Sequence, residues 1–302
     1  MTIRPIHWLV LLCLVFLWGS SYLMVEVALQ AWAPVEIAGL RIVLAAIVLT
    51  VVVGLRREHF PRDRRTWGLL LLIALVGNGI PFSLISWGQQ HIESGLAGIL
   101  AASTPLFVLL LAHFMLPDER LRRNQLAAFL LGFAGIVVLM GPDSLAALGG
   151  SAERLWAQLA ILAAGFCYAM ATIIGRRLAP ASPVVTSAGV MLMASMVMLP
   201  LISGSVDELP SVPVSSVLAI AFLGVLGTGL ASILYFHLLA QTGARFTSLL
   251  NYLVPVWAMG LGAMILGEQL SINAWIAMIL ILSGLVLISR SGDIAGQPKG
   301  RA

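Results

Sequence analysis

The chain has 302 residues, of which 60% are hydrophobic and only 10% charged, at a mean hydropathy of +1.02. Soluble domains run at roughly 25% charged and 45 to 50% apolar, which excludes a water-soluble fold; at roughly 20 apolar residues per crossing, the length holds about ten membrane spans and no separate soluble domain. Segments such as Trp8 to Leu17 are apolar all round rather than alternating, which excludes an outer-membrane barrel too.

Apolar runs set against charged and Pro/Gly-rich breaks predict ten helices. The first covers 7–26 and carries Trp18, Tyr22 and Glu26 on successive turns; no cleavage site follows it, so it reads as a mature span rather than a removed leader. The second, 34–54, contains Arg41. The third, 66–88, continues into a polar stripe of Asn78, Phe82, Ser86 and Gln89 at steps of four, four and three, hence on one helical face. The fourth, 94–116, places Ser103 and Thr104 before Pro105, and the fifth covers 124–141. The sixth, 154–175, holds Tyr168 and Thr172; the seventh is 183–203; the eighth, 215–239, has the stripe Thr228, Ser232 and Tyr235. The ninth, 245–266, sets Asn251 and Tyr252 before Pro255, and the tenth is 272–290.

The net charge of +4 is explained by topology. Connections on one side hold 15 of the 17 Lys and Arg residues, and only Arg41 and Arg154 lie elsewhere. The positive-inside rule then places both termini in the cytoplasm, and the basic charge calls for no nucleic acid. Cys13 and Cys167 fall within apolar segments and read as small buried apolar residues, without a disulfide or metal role.

Sliding the chain by 150 residues superposes Gly77-Asn78-Gly79 on Gly227-Thr228-Gly229, Leu100 on Leu250 and Pro105 on Pro255. With a one-residue shift, Glu119-Arg120-Leu121 falls on Glu268-Gln269-Leu270 and Gly135 on Gly284. The expected architecture is an all-α polytopic membrane protein of ten transmembrane helices in two five-helix repeats, 1–141 and 142–290, with a cytoplasmic tail at 291–302. Because five is odd, the second copy enters from the opposite side, giving an inverted repeat of the kind that supports alternating access.

Polar groups in hydrocarbon must face other helices or water. The stripes in spans 3 and 8 therefore point inward, into an interior expected to be uncharged; whether they meet a substrate or only each other, periodicity leaves open. Candidate substrate contacts are Trp18, Tyr22, Asn78, Phe82, Ser86, Tyr168, Thr172, Thr228, Ser232, Tyr235 and Asn251, the aromatic rings offering apolar area with one polar edge. Trp8, Trp32, Trp67, Trp156 and Trp275, near span ends, read as interfacial anchors. A proline inside a helix frees a carbonyl one turn earlier, so Pro105 and Pro255 are read as paired hinges. Burying the Arg41 charge at a helix centre costs about 2.5 to 3.5 kcal/mol. A structural ion pair with Glu36 or Glu26 is preferred there over a substrate clamp. Glu119 and Glu268 precede helices 5 and 10, whose amides their carboxylates are placed to cap. His113 and His237 are read as packing residues rather than proton relays.

Trp18-Gly19-Ser20-Ser21, Pro34 followed by Arg41, and the paired segments from Thr104-Pro105 to Glu119-Arg120-Leu121 and from Val254-Pro255 to Gly267-Glu268-Gln269-Leu270 resemble the EamA-type members of the drug/metabolite transporter superfamily. The resemblance covers all but the last dozen residues; it departs at Asp118, where the second copy has Gly267. It implies a monomer of two inverted repeats in the bacterial inner membrane, with a central cavity lined by spans 1, 3, 4, 6, 8 and 9, and export of amino acids and other small metabolites. No mid-span carboxylate offers a proton-coupling site, and no Arg or Lys cluster lines the stripes, which argues against phosphorylated substrates. The expected function is export of small neutral or zwitterionic metabolites, with multidrug efflux of lipophilic compounds as the alternative. No cofactor or metal is expected, and no catalytic motif points to an enzyme.

Overall fold

The computed structural model describes residues 3–116, 123–146, 153–178, 182–202 and 212–290. The Glu119-Arg120-Leu121 corner and the tail at 291–302 lie outside the described residues.

Among the described residues, ten apolar helices follow the predicted order: α1 Pro5–Ala28, α2 Pro34–Leu55, α3 Arg64–Gly88, α4 Ser94–Met115, α5 Arg123–Ala146, α6 Glu153–Gly175, α7 Pro183–Leu201, α8 Val214–Gly243, α9 Leu250–Ile265 and α10 Ile272–Arg290. No strand occurs among the described residues. Proline begins α1, α2 and α7, where its missing N–H costs nothing. Asp63 caps α3 by accepting a hydrogen bond from the Thr66 amide at 2.7 Å, and Glu36 folds back onto the Ala33 amide at 2.7 Å to start α2. The ninth helix starts five residues later than predicted. Gly243, at φ 77° and ψ 171°, interrupts the end of α8, and the turn to Thr247 belongs with that end rather than with α9.

The exterior is apolar. Leu126, Leu130, Phe133 and Val137 form an exposed stripe on α5 at steps of four, three and four, and Ile272, Ile276 and Ile279 do the same on α10. Such faces are stable against lipid, not water, so this is a multi-pass membrane protein. Trp156, Trp275 and Trp8 are exposed, as interfacial anchors are; Cys13 is exposed too and Cys167 only half-buried, against the buried reading, because each lies on a helix face turned partly outward. Trp32 departs from the anchor reading: it is buried at 4% exposure among Val25, Ile37 and Leu223.

Packing in lipid rests on close van der Waals fit and small residues rather than on expulsion of water. Here the close approaches occur in pairs related by the 150-residue offset. A Cβ on Gly77 would stand 3.0 Å from the Ala171 Cβ, and one on Gly227 would stand 2.9 Å from the Ser21 Oγ. Gly79 meets the Met198 side chain at 3.0 Å, and Gly229 meets Val48 at 3.1 Å. In α5 and α10, with the one-residue shift, Gly135 packs on Ala277 and Ile281 while Gly284 packs on Ala128 and Gly132. Each of these contacts made by one copy is returned by the other. The same offset relates two departures from α geometry, the π-helical turns Leu75–Gly79 in α3 and Phe222–Leu230 in α8. The glycines within them allow the backbone to widen where neighbouring helices press close.

Candidate functional site

Arg41 enters from α2 beside the widened turn of α8. Its side chain is buried at 7% exposure. Nε and Nη2 donate to the Thr228 Oγ1 at 3.2 and 3.0 Å, and the guanidinium carbon lies 3.8 Å from the centre of the Phe82 ring. Thr228 stands in the π turn of α8 and passes its own proton to the Leu223 carbonyl, five residues back, at 2.8 Å. Its hydroxyl is therefore fully used in holding the guanidinium. The Phe82 ring meets Tyr168 edge-on at a centroid distance of 6.4 Å, and both Tyr22 and Tyr168 lie within electrostatic reach of Arg41. One charge from α2 thus collects residues of α1, α3, α6 and α8, drawn from both repeats.

The structure corrects the expected ion pair. Among the described residues Arg41 has no carboxylate within ion-pair distance. Glu36 instead serves the amino end of α2, and Glu26 keeps its Oε2 buried without a hydrogen-bond partner among the described residues. The sequence shows Arg41, Phe82 and Thr228 separately, but α-helical periodicity does not show that the long arginine side chain reaches from the first half of α2 to the stripe of another repeat. The interior is consequently charged at one point, contrary to what the stripes alone suggest.

The other expected contacts divide into satisfied and unspent groups. Ser232 donates to the Thr228 carbonyl at 2.6 Å, and the exposed Thr172 donates to the Tyr168 carbonyl at 2.9 Å; both hydroxyls serve their own helices. Ser86 is buried, and Gln89 donates to the Tyr22 carbonyl at 2.9 Å, joining α3 to α1. Trp18 packs on Tyr235 with centroids 5.3 Å apart. The hydroxyls of Tyr22, Tyr168 and Tyr235, the amide of half-buried Asn78 and the Arg41 Nη1 have no hydrogen-bond partner among the described residues. Asn251 is exposed on α9, and the contacts of Arg41 do not include it.

The prolines are not equivalent. Helix α4 is interrupted at Ala102 and Ser103 and resumes at Thr104, with Pro105 in the resumed first turn, and the Ser103 and Thr104 hydroxyls donate to the freed carbonyls of Leu100 and Ala101 at 2.6 and 2.8 Å. Pro255 sits inside the continuous helix α9.

Two contacts escape sequence reading. Trp257 donates from Nε1 to the Ser20 Oγ at 3.1 Å, and its ring fills the space left by Gly19. Glu268 caps a helix, as its position before α10 suggests, but a different one. Its carboxylate accepts from the Ser94 amide at 2.7 Å, the Ser94 hydroxyl at 2.6 Å and the Gly95 amide at 3.0 Å, closing the start of α4 from the other repeat. Nearby, Arg154 pairs with Glu93 at 3.0 Å, which accounts for a basic residue on the less basic side.

The chain matches the EamA-like transporter family over residues 6–141 and 155–290 and belongs to it. It is 28% identical over 287 residues to a protein of Escherichia coli strain K12 described as the uncharacterized inner membrane transporter YedA, covering 92% of this chain and 89% of that one. It is 24% identical to the transporter YoaV of Bacillus subtilis strain 168, over 90% of this chain and 92% of that one. Protein PagO of Salmonella typhimurium is 27% identical, with 89% and 88% covered. A crystal structure described only as that of a protein matches at TM-score 0.63 and 23% identity over 94% of this chain and 98% of its own, a likeness of fold. The protein is a membrane transporter.

Proposed function

We propose that this transporter exports small zwitterionic metabolites, amino acids foremost, by rocking two inverted repeats about the Arg41 cluster. The observation that carries the reading is the set of unspent polar groups at the junction of the repeats: guanidinium Nη1, the phenols of Tyr22 and Tyr168, and the Asn78 amide. Reciprocal contacts between equivalent positions are what a two-fold relation between copies produces, and with five spans per copy that axis lies in the membrane plane. The distribution of Lys and Arg supports cytoplasmic termini, and the YedA likeness supports an inner bacterial membrane; the functional unit is a monomer.

With no carboxylate at mid-span, the solute gradient itself drives transport. Efflux of radiolabelled leucine from proteoliposomes, with and without a pH gradient, tests this: equal rates are expected, and strict proton dependence contradicts a facilitator. The Trp18–Tyr235 and Phe82–Tyr168 pairs favour, as a second reading, efflux of lipophilic compounds. In that case overexpressing cells resist cationic dyes and not toxic amino-acid analogues.

A further inference from the structure

Arg41 is more than nine-tenths buried, yet its partners are one hydroxyl and one ring face. A buried guanidinium is ordinarily matched by a carboxylate, because leaving the charge without a counter-ion in a medium of low dielectric is costly. Glu36, earlier on α2, and Glu26, on α1, are the acidic candidates, and neither comes within ion-pair distance of it. The repeat removes a purely structural need: the position equivalent to Arg41 in the second copy is Met191, buried at 5% in an apolar cluster with Leu70 and Ala74. Packing there is achieved without a charge.

The geometry also leaves one edge of the fork open. Nε and Nη2 converge on Thr228, the Phe82 ring covers one face, and Nη1 has no partner among the described residues. Tyr22 and Tyr168, within electrostatic reach, bring two hydroxyls that are likewise without partners among the described residues. A planar fork with neighbouring hydroxyl donors fits a carboxylate. A single positive charge suits a monoanion; a phosphate ester, carrying close to two negative charges, would lack its second cation.

Resting on the transport reading above, we infer that Arg41 is the specificity-determining residue of the site and binds the carboxylate of a small monocarboxylate or α-amino acid between the repeats. Thr228 and Phe82 are positioning residues that hold the fork. The ammonium of a zwitterion is then not required for recognition, whereas the carboxylate is.

The test uses the full-length protein in proteoliposomes loaded with leucine, with counterflow of labelled leucine competed by leucine, 4-methylvalerate, leucinamide and isoamylamine. The acid lacking the amine is expected to compete within a few fold of leucine. The amide and amine, which lack the carboxylate, are expected to compete about tenfold to a hundredfold less well, the loss of a charge-assisted hydrogen bond. Arg41→Met, which gives the first repeat the residue of the second, is expected to abolish this ranking, and Arg41→Lys to retain the preference for acids at lower affinity. Should Arg41→Met not fold, the competitor series on the unaltered protein still decides. Equal competition by leucine and leucinamide, or an unchanged ranking in folded Arg41→Met, overturns the carboxylate assignment while leaving an amino-acid transporter. Absence of leucine counterflow alongside transport of lipophilic cations overturns both.

Discussion

Replacing Glu268 by alanine removes three acceptor contacts at once and leaves the Ser94 and Gly95 amides at the start of α4 without their partner. Hydrogen bonds to a charged group contribute about 1.5 to 3 kcal/mol each. These three share one half-buried carboxylate and do not add, so a net loss of about 2 to 4 kcal/mol is the reasonable expectation. At about 1.4 kcal/mol per factor of ten, opening of the first turn of α4 becomes about thirtyfold to several-hundredfold more frequent. Amide hydrogen exchange followed by mass spectrometry reads this directly in peptides covering 94–101. Glu268→Gln keeps an acceptor oxygen but loses the charge, and an increase of roughly tenfold is expected. The same substitutions loosen a tie between the repeats, so leucine counterflow should change its apparent affinity as the balance of conformations moves. Exchange within twofold of the unaltered protein in Glu268→Ala would refute the reasoning, because the contacts would then contribute nothing to holding that turn.

Gly284→Leu drives a side chain into the Ala128 carbonyl, which a Cβ alone would meet at 2.7 Å, and forces α5 from α10. A destabilisation of about 1 to 3 kcal/mol, seen as a lower unfolding temperature in detergent, is expected. Gly54→Ala, with nothing within 4 Å, is the control and should be neutral or slightly stabilising through helix propensity. Trp257→Phe loses the hydrogen bond to Ser20 and should cost about 1 kcal/mol in the same assay. The Asp63 carboxyl is held below its ordinary value, first by the backbone bond from Thr66. A lowered native value means that its contribution is present above the unfolded value and is lost as pH falls through the native one. Exchange at the start of α3 should therefore rise as pH drops below 3.8, after correction for intrinsic rates, and Asp63→Ala should remove that dependence.

The spans were legible because bilayer thickness demands long apolar runs, and the charged breaks between them admit little freedom. The repeat was legible for a related reason: Gly77, Gly79, Gly227 and Gly229 are glycines because another helix presses on them, and the same pressure exists in both copies. Within the site, the stripes name Phe82 and Thr228 as inward-facing, and the structure places both against Arg41. Periodicity did not show the π turns, which arise from a backbone register that side-chain types barely mark. Nor does spacing along a helix reveal how far a flexible side chain extends, so the sequence points Arg41 to nearby carboxylates rather than to a hydroxyl 187 positions away. Glu268 shows the same limit: its chemistry as a cap follows from residue type, but the choice of α4 over α10 depends on how the repeats dock. Trp32 turns inward although it lies near a span end, because proximity to the end does not fix which way a ring turns.

The most direct measurement of the central claim, a solute route between the repeats past Arg41, is accessibility at Ser232, half-buried beside Thr228. In a chain with Cys13 and Cys167 replaced by alanine, Ser232→Cys is labelled with a membrane-impermeant maleimide in right-side-out and in inside-out vesicles. Labelling from both faces, slowed by leucine in each case, is the predicted result. Reaction from neither face or from one face alone, with no protection by leucine, would contradict alternating access at this position.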